Sequence, residues 1–138
     1  MEEEQEFSVH KQPTVIVTLG AIFGATSLSG DVIVAGDVMA LIGLFASKGF
    51  YILVDCRESL DVAYKLLQQE GVPFNGLMYD THSGYVHDLE RYVARISAHC
   101  GLESVHSIID EDVMRLSYAE ENKISAFQVM GGSIIYQS

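Results

Sequence analysis

The sequence predicts an α/β fold: a Rossmann-like three-layer sandwich around a central parallel sheet of about five strands. Three observations predict it. Short β-branched or aromatic runs alternate along the chain with segments whose apolar residues recur at helical spacing. The chain has 138 residues and is 49% apolar, enough for one packed core and the size of one domain. No internal repeat or linker interrupts the alternation, and strand–helix alternation of this kind closes through right-handed crossovers into a parallel sheet covered on both faces. The expected organisation is a flexible acidic tail over residues 1–12 and a single domain over 13–138.

The tail holds four Glu in its first six positions and reads as a solvated end. Thr14-Val15-Ile16-Val17-Thr18 is a β-branched run, the mark of a strand buried on both faces. Residues 20–36 are rich in Gly, Ser and Thr, with a further β-like patch at Val32-Ile33-Val34. A helix is expected from Asp37 as N-cap, with Met39, Ile42, Leu44 and Phe45 on its apolar face and Ser47-Lys48-Gly49 as its stop. Phe50–Val54 is the second buried strand. Ser59–Glu70 is helical, with Leu60, Ala63, Leu66 and Leu67 inward and Gly71 ending it. PFNGLMY is a short strand or turn, and Val86–His99 a helix burying Leu89, Val93 and Ile96. Val105–Ile109 is a strand, Glu111–Asn122 a helix and Ala126–Met130 the last core strand. The tail after it, SIIYQS, is apolar enough to add to a neighbour's sheet or to cover this sheet's own edge.

Composition excludes several function classes. With 19 acidic and 8 basic residues the formal net charge is −11, which disfavours nucleic acid as a partner, since nothing visible would neutralise phosphates. The opening MEEEQEFSVHKQP is acidic where a secretory leader is basic, and the most apolar region, residues 14–46, is broken by Asp31, Asp37 and glycines. No membrane association is expected, and a cytoplasmic location is. Cys56 and Cys100 match no metal or redox spacing and read as buried free thiols.

In a parallel sheet the functional crevice lies beyond the carboxyl ends of the strands. Four ends matter here: Thr18-Leu19-Gly20, Asp55-Cys56-Arg57, Tyr79-Asp80 and Asp110-Glu111-Asp112. The acidic triplet reads either as a helix cap, stabilised by free N–H groups, or as part of a Mg²⁺ site drawing further carboxylates from other strands. Arg57 could fork onto a phosphate, or pair with Asp55 or Glu58. The five histidines, including His82, His87, His99 and His106, lack the i, i+4 spacing of a metal helix. Glycines 20, 24 and 30 do not fit G-x-G-x-x-G, and no P-loop lysine follows.

Taken together, the strand ends resemble the haloacid-dehalogenase-like (HAD) hydrolases, and within them the 3′-phosphatase domain of bacteriophage-type polynucleotide kinases. YILVDCRES resembles that family's second motif, LQQEGVPFNGLMY its helix end and following strand, and SIIDEDVMRLSYAEENKISAFQVMGG its fourth motif, helix and last strand. The resemblance covers residues 14–132 and implies a HAD-like fold. The short stretch between first strand and first helix fits the family's small flap hairpin and leaves no room for a large cap domain.

The resemblance also implies where chemistry should sit, and there the residues depart from it. The family's nucleophilic aspartate ends the first strand and its acid/base aspartate lies two residues on; these positions hold Thr18 and Gly20. A threonine forms no acyl-phosphate, and glycine has no side chain to carry a proton. The second-motif hydroxyl position holds Asp55, and no lysine stands at the third, where His87 or Arg91 falls nearby. Arg57 remains as a phosphate-binding candidate, and Asp110 with Glu111 as metal candidates.

The expectation is therefore a catalytically inactive HAD-like domain working as an interaction, assembly or structural protein. The branch it resembles adds a viral (phage) origin, and a protein partner or self-association in a homo-oligomer or virion. No cofactor is expected. Two rivals remain: a residual phosphatase or phosphate binder, for which Mg²⁺ would be needed, and a nucleic-acid-processing accessory factor.

Overall fold

A computed structural model describes residues 12–26, 32–57, 59–79 and 88–138. The tail expected over residues 1–12 therefore lies outside the described residues except for Gln12, as do Glu58, Asp80, His82 and His87.

The chain runs β1 (Thr14–Thr18), a single turn α1 (Leu19–Ile22), β2 (Ala25–Thr26), β3 (Val32–Ile33), α2 (Gly36–Ser47) and β4 (Tyr51–Cys56). It continues α3 (Leu60–Gln69), β5 (Gly76–Tyr79), α4 (Asp88–His99), a 3₁₀ turn (Leu102–Ser104), β6 (Val105–Asp110), α5 (Val113–Glu121), β7 (Ser125–Met130) and β8 (Ser133–Gln137). Six strands form one sheet in the order β5-β4-β1-β6-β7-β8; the first five are parallel and β8 returns antiparallel to β7. The expected five parallel strands are thus present, and SIIYQS covers its own sheet's edge. The β2–β3 pair is a separate antiparallel hairpin after β1, where the flap was expected.

Alternation along the strands divides the core into two layers. Val15, Val17, Ile52, Val54 and Ile109 pack with Val38, Ile42, Phe45, Ala63 and Leu67 of α2 and α3. Ile16, Leu53 and Ile108 point the other way, against Tyr92 and Ile96 of α4 and Leu116 and Ala119 of α5. Each fully buried Val, Leu or Ile contributes about 1.5–3 kcal/mol, so β1, whose first four residues are all buried, anchors both layers.

Several element ends differ from the sequence expectation for identifiable reasons. Helix α2 starts at Gly36 with Ala35 as a cap lacking a side-chain bond, because the Asp37 carboxylate instead accepts the Ile134 N–H of β8 (3.3 Å). Leu44 and Leu60 stand 52% and 45% exposed, one helical position off the buried stripes. On α4 the buried residue is Tyr92 rather than Val93, since an arginine stacks on its ring. Cys56 and Cys100 are buried free thiols. No helix among the described residues is long and apolar enough to cross a membrane.

Candidate functional site

The two-residue period of the strands fixes what faces the crevice. Ile16, Leu53 and Ile108 face α4 and α5, so Thr18, Asp55 and Asp110, two residues further on, face the same way. Thr18 pairs with Asp55 across β1–β4, and Val17 with Ile109 across β1–β6, which sets the three side by side. A cleft of about 430 Å³ opens there, and its lining includes Thr18, Gly20, Asp55, Arg57, Asp110 and Glu111. Thr18, Gly20, Asp55, Arg57, Asp110 and Glu111 line one cleft, Arg91 is not among its lining residues, and Asp80, His82 and His87 lie outside the described residues.

Thr18 is committed to the backbone. Its hydroxyl accepts the Ala21 N–H (3.1 Å) as the N-cap of α1. The turn it starts is tight: a Cβ on Gly24 would lie 2.7 Å from the Gly20 carbonyl oxygen. A Cβ on Gly20 would meet a Glu111 carboxylate oxygen at 3.2 Å, and Gly24 meets the other oxygen at the same distance. The glycines therefore serve a close turn under the Glu111 side chain.

The acidic triplet divides its labour. Asp112 is the N-cap of α5, accepting the Met114 N–H (2.8 Å). Asp110 accepts the Glu111 and Asp112 N–H groups on one oxygen (2.7 and 2.9 Å). Its other oxygen receives Arg115 Nη1 at 3.3 Å. Capping and side-chain pairing both occur, on different members.

The centre of the crevice is Arg115, a residue the sequence reading missed. Its side chain is 5% exposed. Nη1 donates to Asp55 (2.9 Å) as well as Asp110, while Nε and Nη2 each donate to Asp88 (3.3 Å). Its guanidinium carbon sits 4.1 Å from the centroid of the buried Tyr92 ring, a cation–π contact. Arg95 adds two bonds to Asp55 (2.9 and 3.1 Å). Arg57 pairs with Asp88, rather than with Asp55. Arg91 lies 3.9 Å from the same carboxylate. His87 lies outside the described residues. The signal for Arg115 was available: it shares the buried stripe of α5 with Leu116 and Ala119, and a charge on such a stripe must find partners.

Electrostatics follow from this burial. Desolvation raises Asp110 to about 6, against the pull of Arg115 and two backbone N–H groups. Desolvation also raises Asp55, and the charges of Arg95 and Arg115 limit the rise. Burial opposes the charge on Arg115, but Asp110 and Asp55 outweigh it and hold the guanidinium charged.

Mg²⁺ fits this donor set poorly. It needs near-octahedral oxygen ligands with lone pairs to spare. Here Asp55 Oδ2 and Asp110 Oδ1 each accept two hydrogen bonds and the other oxygen of each accepts one, and the place between the carboxylates is filled by a fixed positive charge. Among the described residues no group of three or more His, Cys, Asp or Glu is arranged to hold a metal. Of the carboxylates that line the cleft with Thr18, Asp55 and Asp110 are engaged by arginine, and Glu111 lies over Gly20 and Gly24. What the arrangement does is neutralise buried acids.

No protein-family model and no curated protein sequence matches the chain. A chain in a solved Pnkp1/Rnl/Hen1 complex shares its fold, with a TM-score of 0.62 over 90% of this chain and 14% identity. The match takes in 50% of that chain, so the present chain spans about half the length of the protein it resembles. The likeness establishes a shared three-layer α/β architecture.

Proposed function

We propose that this chain is a catalytically inactive HAD-like domain, related to polynucleotide-kinase phosphatase domains of the bacteriophage type, that works through protein contacts as an interaction or assembly component. The observation that carries this reading is Arg115. Its guanidinium lies among Asp55, Asp88 and Asp110 and takes up the acids that a phosphoryl-transfer crevice would turn toward a metal. Thr18 as a helix cap and Gly20 beneath Glu111 support it, since neither offers a nucleophile or a proton. A phage assembly role, a protein partner or homo-oligomer, and a cytoplasmic setting belong to the same proposal.

The test is turnover of p-nitrophenyl phosphate and of a 3′-phosphorylated oligonucleotide with Mg²⁺. The expected rate equals the protein-free blank. Turnover that is lost in both Arg57→Ala and Asp110→Ala would overturn the proposal in favour of a residual phosphatase.

A further inference from the structure

Helix α5 has two unlike faces. Arg115, Leu116 and Ala119 are buried, whereas Val113 and Met114 stand 61% and 64% exposed. Between this helix and the β7–β8 hairpin runs a second groove of about 220 Å³, lined by Val113, Leu116, Ser117, Glu120, Gln128 and Tyr136. Glu120 and Tyr136 face each other across it, and the Glu120 carboxylate raises the Tyr136 phenol above its ordinary pKa. On β8 the register shift opposite Gln128/Val129 leaves Ile135 without a partner on β7 and 52% exposed. Large apolar side chains left in water at a formed groove, here Val113 and Tyr136 on its lining, mark a contact surface.

Charge decides what the surface fits. Glu120 is the charged residue of the lining. Glu121 follows it, whereas Glu111 and Asp112, before Val113, line the crevice instead. Arg115 adds no positive surface, because it is turned inward onto Asp55, Asp88 and Asp110. Lys123 lies beyond the end of α5, outside the groove lining. A second copy would bring another net charge of −11. It would also meet a blunted edge, since the Ile134 N–H is taken by Asp37 and the bulge at Ile135 breaks the strand.

We propose that the α5–β8 groove docks a cationic amphipathic segment of a partner protein. Its apolar side chains seat on Val113, Leu116 and Tyr136, and its Lys or Arg residues meet Glu120 and Glu121. The proposal rests on the domain being an interaction component and names the chemistry of its partner. Its test leaves the crevice untouched, so phosphoester turnover and peptide binding fail independently.

The probe is a synthetic amphipathic Leu/Lys helix titrated into the ¹⁵N-labelled full chain, with a Leu/Glu helix of the same pattern as control. Amide shifts should concentrate on α5 and β8 and should shrink at high salt. The double variant Val113→Asp/Glu120→Lys should weaken binding by about tenfold or more, as loss of both the apolar and the charged contact requires. Met114→Lys serves if the double variant melts early. Shifts spread evenly over the acidic surface, a variant binding within about twofold of the parent, or equal binding of the Leu/Glu helix would overturn the proposal. So would light scattering that shows a dimer broken by the same variants, which would assign the face to a second copy.

Discussion

Replacing Arg115 by Met keeps the length and apolar stem of the side chain but deletes the charge that Asp55, Asp88 and Asp110 share. Removing one partner of a buried ion pair costs about 3–5 kcal/mol, because the remaining charge stays desolvated. In a domain of this size each kcal/mol shifts the midpoint by about 3–4 °C, so the melting temperature should fall by roughly 10–20 °C near neutral pH. The loss should also depend on pH. Without Arg115 the buried carboxylates keep protons in the folded state that the unfolded chain has released, so stability falls as pH rises. The deficit should therefore be largest at pH 7 to 8 and shrink by more than half near pH 4.5, where the acids are neutralised cheaply. Thermal melts of wild type, Arg115→Met and Arg115→Lys at both pH values decide it, with the lysine variant falling between the other two. A midpoint unchanged at neutral pH, or an equal loss at both, would refute charge compensation as the role of Arg115.

Three further outcomes follow from the same geometry. In the wild type, Asp110 is raised from 3.8 to about 6 in the fold. Its contribution is thus present below pH 4 and lost between about pH 4 and 6, up to roughly 3 kcal/mol; Asp110→Asn should flatten that stretch of a urea-measured stability profile. Thr18→Val keeps the strand but removes the acceptor of the Ala21 N–H, and should cost about 1 kcal/mol in the same measurement. The substitution set Thr18→Asp, Gly20→Asp and Asp55→Ser should show no Mg²⁺ binding by calorimetry while Arg115 remains, since a side chain at Gly20 crowds Glu111 and the space between Asp88 and Asp110 is filled by the guanidinium. Mg²⁺ binding by that triple variant would mean that Arg115 yields readily.

The fold was legible because burial on both faces of a parallel sheet writes itself as β-branched runs, as at Thr14–Thr18, and crossover helices write themselves at helical spacing. Strand ends were legible for the same reason, which is why Thr18, Asp55, Arg57 and Asp110 could be expected to converge. The partners of those residues were not. Asp88, Arg95 and Arg115 come from α4 and α5, and which helix residue reaches a strand end depends on helix placement over the sheet rather than on local pattern. Asp37 shows the same limit: locally it is a helix cap, yet in the fold it serves a strand nearly a hundred residues away.

The most direct test of the central claim, that a guanidinium fills the space among Asp55, Asp88 and Asp110, is a Mn²⁺ titration of the ¹⁵N-labelled protein. A divalent ion among Asp55, Asp88 and Asp110 would broaden the amide signals of Gly20, Glu111 and Asp112 before all others. The prediction is no selective broadening in the wild type, and its appearance at these amides in Arg115→Met. Selective broadening there in the wild type would contradict the claim.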